Sequence, residues 1–182
     1  MTKRISQFIL KQIDWKTAGH IDNIPDKCIF CVAPHTSNWD LLLGLIVYKS
    51  VGKKASFLIK KDWFFFPMNL IFRALNGIPV DRSKKMSLTE QCAQLFEKYN
   101  PFQLAITPEA TRKPNAEWKR GFYYIALKAN VPIVIVALDY GRKVVDFKEI
   151  FIPTGDADAD MIKIKSFYKD AIARHPEKFL ID

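Results

Sequence analysis

Long apolar runs are missing from this chain of 182 residues. The runs that are present, such as "LLLGLIVY" (41–48) and "WFFFPM" (63–68), fall far short of the roughly 18 residues that a membrane-spanning helix needs. Polar residues interrupt the amino-terminal stretch "MTKRISQFILKQIDWK", which excludes the apolar core of a signal peptide. Cysteine is scarce too, and three residues, an odd number, suit a reducing compartment better than a disulfide framework. These absences predict a cytosolic protein that is soluble or associated with a membrane surface.

Histidine is equally scarce, which bears on metal binding. Neither His20 nor His175 stands at metal-ligand spacing with His35 or with a carboxylate pair, so a metal site is disfavoured. Cys28 and Cys31 form a single C-x-x-C without a second pair. Because positions three apart on a strand point to opposite faces, these two cysteines are predicted to be small buried apolar residues.

The composition that is present, 49% hydrophobic and 26% charged, is typical of a globular protein and argues against disorder. No repeat, low-complexity tract or linker divides the chain, so residues 1–182 are predicted to form one domain. The net charge of +9 favours anionic partners: nucleic acid, an anionic membrane surface or phosphorylated substrates. A nucleic-acid-binding module should interleave aromatic and basic residues on one sheet face. The densest aromatics here are contiguous instead, so no nucleic-acid partner is expected.

Hydrophobic periodicity predicts strands that alternate with helices. Continuous apolar runs predict strands at 28–33, 55–60, 102–106 and 132–140, with weaker strands near 144–147 and 150–152. Helices are predicted at 1–16, which is amphipathic, from Ser37, after the capping-box pair Ser87 and Glu90, and at 122–130 and 157–174. This order predicts an α/β fold, a single domain with a mainly parallel central sheet flanked by helices.

Polar clusters follow several of the predicted strands, and ligands collect at the carboxyl ends of strands in open α/β sheets. The first cluster, "HTSNWD", contains His35 and Asp40. If His35 lies in the loop and Asp40 in the first helical turn, the histidine could take a proton from a hydroxyl while the carboxylate fixes its tautomer. Alternatively, Ser37 and Asp40 form a capping box, and His35 is an ordinary loop residue. The spacing alone leaves both interpretations open.

The other clusters are suited to an anion. Arg82 follows a short apolar stretch, and Arg112 lies three residues beyond Glu109 in "TPEATR". Arginine offers a fork of donors that matches phosphate oxygens, although Glu109 and Arg112 could equally form a surface ion pair. The basic turn "KRG" (119–121) could assist an anion or simply face solvent.

In this order and at these separations, the clusters resemble the motifs of the glycerophospholipid acyltransferase family, of the lysophosphatidate acyltransferase type. The matched segments span roughly residues 30–140; they are His35 to Asp40, Gly77 to Arg82, Thr107 to Arg112, and Val131 to Ile133. The resemblance implies a glycerol-phosphate-acyltransferase-like fold. It also implies that a fatty acyl group moves from acyl-CoA or acyl-carrier-protein to the hydroxyl of a lysophospholipid such as 1-acyl-glycerol-3-phosphate, in phospholipid biosynthesis.

The resemblance also assigns roles to residues. His35 would be the general base and Asp40 its orienting partner, so that neither an enzyme nucleophile nor a cofactor is required besides the acyl donor. The acceptor would be bound by Arg82, Glu109, Thr111 and Arg112.

Two departures from the family pattern leave the acceptor open. Pro34 replaces the usual asparagine, and Ala110 replaces a glycine, which would be strained if that backbone needed a positive φ. The acceptor could therefore be a different lipid, such as a lyso-ornithine lipid, or the chain could bind lipid with weakened catalysis.

The segment "KKDWFFFPMNLIF" (60–72) combines lysines with a cluster of aromatic residues. Such a combination suits an anchor on an anionic membrane surface, and the alternative is that the aromatics fill the core or an acyl tunnel. The amphipathic helix at 1–16 has the same two alternatives. The expected location is cytoplasmic, peripheral on the cytoplasmic face of the membrane.

Overall fold

The computed structural model describes residues 2–81, 83 and 86–181. Within that part of the chain, seven strands form one sheet: β1 (Lys16–Gly19), β2 (Lys27–Ala33), β3 (Ala55–Lys60), β4 (Gly77–Val80), β5 (Phe102–Ile106), β6 (Ile133–Asp139) and β7 (Val144–Phe151). The α-helices are α1 (Lys3–Gln12), α2 (Trp39–Ser50), α3 (Met68–Ala74), α4 (Leu88–Lys98), α5 (Gly121–Ala129) and α6 (Ala157–Ser166). Short 3₁₀ turns cover Lys61–Trp63 and Pro176–Lys178.

The strand order in the sheet is β1-β7-β6-β2-β5-β3-β4. Neighbouring strands are parallel except for β6 and β7, which are antiparallel. The predicted α/β domain with a mainly parallel sheet is therefore confirmed. Because β2 to β6 all run in the same direction, their carboxyl ends meet at one edge of the sheet, and the loops that follow them are brought together there.

Both faces of the sheet are covered, which explains the continuous apolar sequences of β2 and β6. Along β2, Ile29 and Cys31 pack in a core with α4, α5 and α6. Cys28 and Phe30 pack on the opposite face, in a second core with α1 and α2. The alternation follows from the strand period of two residues.

All three cysteines of the sequence are reduced and buried. Cys28 and Cys31 lie on opposite faces of the sheet, which confirms that the C-x-x-C is two small core residues. Burial raises the pKa of both thiols to about 12. Burial also raises the pKa of the Cys92 thiol, on α4, to about 11.

The amino-terminal helix lies within the predicted 1–16. It ends at Gln12 because Asp14 takes a left-handed backbone conformation, with a φ of 58°, and the chain then enters β1. The sequence analysis missed β1, since "KTAG" (16–19) is short and carries no run of apolar residues. This strand is held by parallel pairing with β7 at the sheet edge.

The last two elements differ from the predictions. The weak strands at 144–147 and 150–152 form the single strand β7, which pairs with β6 along its length around one register shift. The last helix ends at Ser166, not at 174, because the chain beyond it docks onto the domain. There the Tyr168 hydroxyl donates a 2.6 Å hydrogen bond to the carbonyl of Cys31.

Candidate active site

His35 and Asp40 meet at the start of α2. His35 lies in the loop that follows β2, and Asp40 lies in the first turn of the helix, as the predicted catalytic arrangement requires. Nδ1 of His35 is 3.2 Å from Oδ2 of Asp40. The contact has the length of a hydrogen bond but not its direction. With Nδ1 turned to the carboxylate, the second ring nitrogen is left for another partner.

Asp40 also closes the entrance to α2, so the helix-start interpretation describes the same residue. Its Oδ2 accepts 2.8 Å hydrogen bonds from the backbone N–H groups of Thr36 and Ser37. Its Oδ1 accepts a 2.7 Å bond from the Tyr140 hydroxyl. Burial acts to raise the pKa of Asp40, but the interaction with His35 and the hydrogen bonds from Tyr140 and Ser37 outweigh it and lower that pKa. The carboxylate is therefore held ionised beside the imidazole.

Glu109 lies under the same loop. Its Oε1 accepts a 2.6 Å bond from the backbone N–H of His35, and its side chain is buried. Burial raises the pKa of Glu109 to about 7, more than the hydrogen bond from His35 lowers it. Glu109 thus faces inward to the histidine loop and forms no surface ion pair with Arg112.

The remaining predicted binding residues lie further out. The Arg112 guanidinium is exposed and donates to the side-chain oxygen of Asn38, next to the start of α2. The Thr111 hydroxyl accepts a 3.2 Å bond from the N–H of Lys113. Arg82 lies outside the described residues. Glu109, Thr111 and Arg112 are thus all brought to the edge where His35 and Asp40 stand, in the loop that follows β5.

The backbone at Ala110, where the family pattern has glycine, does have a positive φ. Its φ is 56°, in the left-handed region that a side chain with a Cβ disfavours. Its N–H donates to the carbonyl of Thr107 at 3.2 Å, which closes the turn. The strain predicted for this position is therefore present.

A cavity of about 830 Å³ opens at this edge of the sheet. His35, Asp40 and Arg112 lie along it together with Ala110. Its wall is otherwise mainly apolar and extends beneath α2; it includes Leu41, Leu45, Val47, Tyr48, Phe57, Ile106, Phe122, Ile125, Val136 and Leu138. The site therefore combines a polar mouth with an apolar interior.

The "KRG" turn divides between two environments. Lys119 lies along the cavity, and its N–H donates a 2.7 Å bond to the carbonyl of Pro108. Arg120 turns away and pairs with Asp158 on α6, with 2.6 Å between the charged atoms. Lys119 alone of these two cations is placed to face a ligand.

A family model described as acyltransferase matches residues 17–139. The chain belongs to the acyltransferase family. The match covers more than half of the chain and confirms both the resemblance and the prediction of an O-acyltransferase. None of the curated proteins compared with the chain matches it.

A solved structure matches the fold of this acyltransferase. It is the 1-acyl-sn-glycerophosphate (LPA) acyltransferase PlsC from Thermotoga maritima, with a TM-score of 0.62 and 20% sequence identity. The match covers 92% of this chain and 75% of that chain. At this identity the likeness concerns the fold, and it agrees with the sheet described above.

The sequence analysis missed Tyr140, which in this acyltransferase bonds to Asp40. Tyr140 follows β6 directly, so the rule that ligand-binding groups follow strands would have found it. Its ring packs edge-on against Trp15, with 4.9 Å between centroids. Burial and the bond to the Asp40 carboxylate raise the pKa of Tyr140 well above its ordinary value, which keeps its proton in place as a donor.

The segment after α6 in this acyltransferase also reaches the loop that carries His35, which no sequence pattern indicated. The Arg174 guanidinium lies 5.6 Å from the ring centre of Trp39 and 5.7 Å from that of Tyr140. The N–H of His175 donates a 3.2 Å bond to the hydroxyl of buried Thr36. The carboxyl-terminal segment therefore braces the loop that carries His35.

Two further features concern only the described residues. No group of three or more His, Cys, Asp or Glu side chains in that part of the acyltransferase is arranged to hold a metal ion. Nor does any described helix combine the length and apolarity needed to cross a membrane.

Proposed function

We propose that this acyltransferase moves a fatty acyl group from acyl-CoA or acyl-carrier-protein to the hydroxyl of a lysophospholipid such as 1-acyl-glycerol-3-phosphate. The observation that carries the proposal is the contact of His35 with ionised Asp40 at the mouth of a large, mainly apolar cavity. The histidine suits proton transfer from a hydroxyl, and the cavity suits a long acyl chain. The reaction would serve phospholipid biosynthesis at the cytoplasmic face of a membrane.

The proposed chemistry needs no covalent enzyme intermediate. His35 takes the proton of the acceptor hydroxyl as the hydroxyl oxygen attacks the thioester carbonyl carbon. The tetrahedral intermediate then collapses, the carbon–sulfur bond breaks, and the imidazolium returns the proton to the leaving thiolate. Asp40 holds the ring and balances its positive charge while the proton resides there.

The acceptor's phosphate would lie among the cations at the cavity mouth. Arg112 and Lys119 both line the cavity, and we assign Arg82 to the same role. Thr111 would contribute its hydroxyl. Glu109 supports the site from beneath through the His35 N–H, so its proposed role is to position the loop that meets the acceptor.

One observation favours a second acceptor class. Ala110 keeps the left-handed backbone conformation and adds a methyl group at the cavity wall, where the family pattern has glycine. The added Cβ narrows the space beside the acceptor. A hydroxylated lipid without glycerophosphate, such as a lyso-ornithine lipid, is therefore the alternative acceptor.

The first prediction tests this proposal with His35→Ala. Because general-base catalysis contributes about 10²- to 10⁴-fold, we expect kcat to fall by at least about a hundredfold. The measurement is transfer from labelled acyl-CoA and acyl-carrier-protein to a panel that includes lysophosphatidate, other lysophospholipids and a lyso-ornithine lipid. The panel member with the highest kcat/KM identifies the acceptor class.

The matched control is His20→Ala, since His20 is exposed and follows β1, whose carboxyl end lies at the edge of the sheet opposite to the carboxyl ends of β2 and β6. This variant should keep wild-type transfer. Undiminished transfer by His35→Ala would exclude the proposed mechanism. Binding of lipid without transfer to any acceptor would instead favour a lipid-binding protein.

A further inference from the structure

The aromatic segment that follows β3 is solvent-exposed, although apolar side chains of this size usually pack in a core. Phe66 is 79% exposed and Phe65 56%, and Trp63, Leu70 and Ile71 are about half exposed or more. Phe64 and Phe72 are half-buried, and their ring centres lie 5.6 Å apart. We call the five exposed side chains, Trp63, Phe65, Phe66, Leu70 and Ile71, the apolar face.

From this placement we infer that the apolar face docks the protein on an anionic lipid bilayer, with the cavity mouth turned toward the lipid. This inference deepens the proposed function, since it rests on a lipid acceptor. Contiguous exposed apolar side chains mark an interaction surface, and aromatic rings beside cations suit the boundary between headgroups and acyl chains.

The position of the apolar face in the fold supports this orientation. β2 and β3 are both parallel to β5, so the loops that follow them emerge at the same edge of the sheet. The apolar face begins three residues after β3 ends, and His35 stands two residues after β2 ends. Phe57 and Leu58, in β3, line the cavity that His35 opens into. A bilayer against the apolar face would therefore meet the cavity mouth.

The start of α2 extends the apolar surface at the same edge. Trp39, Leu41 and Leu42 are all exposed, and Leu41 also lines the cavity. An acceptor that leaves the bilayer here would pass between apolar side chains on its way to His35.

The positive charge of the segment that carries the apolar face favours an anionic surface as the partner. Lys60, Lys61 and Arg73 against the single Asp62 leave the segment 60–73 with a formal charge of +2, and the whole chain carries +9. Lys60 pairs with Asp62 and Lys61 with Asp81. Both lysine side chains are nevertheless more than half exposed, and such surface pairs exchange readily with an external anion. Anionic headgroups would thus add attraction to the apolar contact.

The exposed apolar residues of α1 are the alternative surface for docking on a bilayer. The fold places them at the end of α2 that lies away from the cavity mouth. Ile5 is 51% and Phe8 62% exposed. Between them in sequence, Gln7 donates to the carbonyl of Ser50, the last residue of α2, whereas Asp40 stands at the opposite end of that helix. Docking through α1 would leave the cavity mouth away from the bilayer.

The experiment compares the double variants Phe65→Ser/Phe66→Ser and Ile5→Ser/Phe8→Ser by flotation with vesicles of phosphatidylcholine and 30% phosphatidylglycerol. We expect the first variant to lose at least about tenfold in vesicle partition, because two exposed aromatic side chains leave the contact. The second should partition as the wild type does. Pure phosphatidylcholine vesicles should bind the wild type more weakly. Raised salt should also weaken the binding of the wild type to the anionic vesicles.

Measurements of acyl transfer distinguish a loss of docking from a loss of catalysis. The Phe65→Ser/Phe66→Ser variant should lose transfer to an acceptor embedded in vesicles and keep transfer to a short-chain acceptor that is monomeric in water. Thermal unfolding checks its fold, and Leu70→Ser/Ile71→Ser is a second variant with the same expected result.

Three outcomes would overturn the inference. The first is unchanged partition of both variants of the apolar face, and the second is loss of partition only in the α1 variant. The third is a wild type that floats with no vesicle. In that case, a change in oligomeric state or in the binding of acyl-carrier-protein on substitution of the apolar face would identify a protein partner instead of a bilayer. If wild type binds vesicles but transfers no acyl group even to the monomeric acceptor, the proposed function fails while docking stands.

Discussion

Asp40 uses both carboxylate oxygens at once, and this division shapes the chemistry of the site. One oxygen faces His35 and the backbone N–H groups of Thr36 and Ser37, and the other accepts from Tyr140. Each donor favours the ionised form, so together they overcome the cost of burial. The position of the carboxylate is thus fixed from two sides before any substrate binds.

The second prediction is that Tyr140→Phe lowers kcat about tenfold, because a hydrogen bond to a charged group contributes about 1.5–3 kcal/mol and part of it orients the catalytic carboxylate. KM should change little. The lost donor also raises the pKa of Asp40 toward its ordinary value. On the acid side, activity should therefore disappear at a higher pH than in the wild type. The pH profile of kcat measures this shift.

Tyr99→Phe is the control for Tyr140→Phe, since Tyr99 is exposed at the end of α4. It should leave both kcat and the acid side of the profile unchanged. A Tyr140→Phe variant with lowered stability but an unshifted profile would mean that Tyr140 acts only as a packing residue.

The third prediction concerns Ala110. Replacing it with glycine removes the Cβ from a backbone φ of 56°, which outweighs the greater freedom of glycine in the unfolded chain. We expect Ala110→Gly to raise the free energy of unfolding by up to about 1 kcal/mol in chemical denaturation. Transfer to a glycerophosphate acceptor should not decrease.

The comparison is with Ala159→Gly, at an exposed position in the first turn of α6. There glycine should lower the free energy of unfolding by up to about 1 kcal/mol. Equal destabilisation by the two substitutions would show that the left-handed conformation at Ala110 carries no strain.

At the scale of elements, the proposed mechanism gives the entrance to α2 a role in catalysis besides its role in folding. The fourth prediction separates the two roles with Asp40→Asn and Asp40→Ala. Asparagine keeps an oxygen for the N–H groups of Thr36 and Ser37, so its unfolding free energy should stay within about 1 kcal/mol of wild type. Alanine leaves those N–H groups unpaired and should cost about 3 kcal/mol.

Both Asp40 variants should lose about a hundredfold or more in kcat, since neither carries the charge that supports an imidazolium. Denaturation curves and initial rates on the same samples test the pair. Wild-type rates with Asp40→Asn would show that Asp40 is only a helix-start residue.

Helices and strands could be predicted from the sequence where their own residues carry the pattern, such as an apolar run or a capping box. The apolar runs of β2 and β6 need cover on both faces, and α4 starts at a capping box in which Ser87 and Glu90 exchange hydrogen bonds. β1 could not be predicted, because its four residues are stabilised by pairing with β7, which is remote in sequence. The end of α6 is likewise set by the contact of Tyr168 with β2.

The candidate site divides in the same way. The positions of His35 and Asp40 could be predicted because loop, helix start and spacing are local properties. The inward turn of Glu109 could not, since it depends on how β5 lies beside β2. Tyr140 and Arg174 depend on strand order and on the docked carboxyl-terminal segment, which are determined by packing far along the chain.

At the scale of the whole molecule, Glu109 links stability to pH. Its pKa is about 7 in the folded protein and 4.5 ordinarily. Its contribution is therefore fully present below pH 4.5 and is lost as the pH rises toward 7, where the unfolded state has already released the proton. The loss from this one group is on the order of 3 kcal/mol.

The fifth prediction is that Glu109→Gln flattens the pH dependence of stability between pH 4.5 and 7 relative to wild type. Glutamine cannot titrate, and its oxygen can still accept from the His35 N–H. Chemical denaturation across this range measures the difference. Glu97→Gln, at an exposed position of α4, should run parallel to wild type. A Glu109→Gln curve parallel to wild type would mean that Glu109 does not titrate in this range.

The burial of every cysteine has a practical consequence for measuring turnover. Cys28, Cys31 and Cys92 are enclosed in the cores and remain protonated at any pH suitable for an assay, since their pKa values are about 12, 12 and 11. The folded protein should therefore not react with a thiol-reactive chromophore. With a thioester donor, each transfer would release one new thiol, and the colour that develops would count turnovers continuously against a blank background.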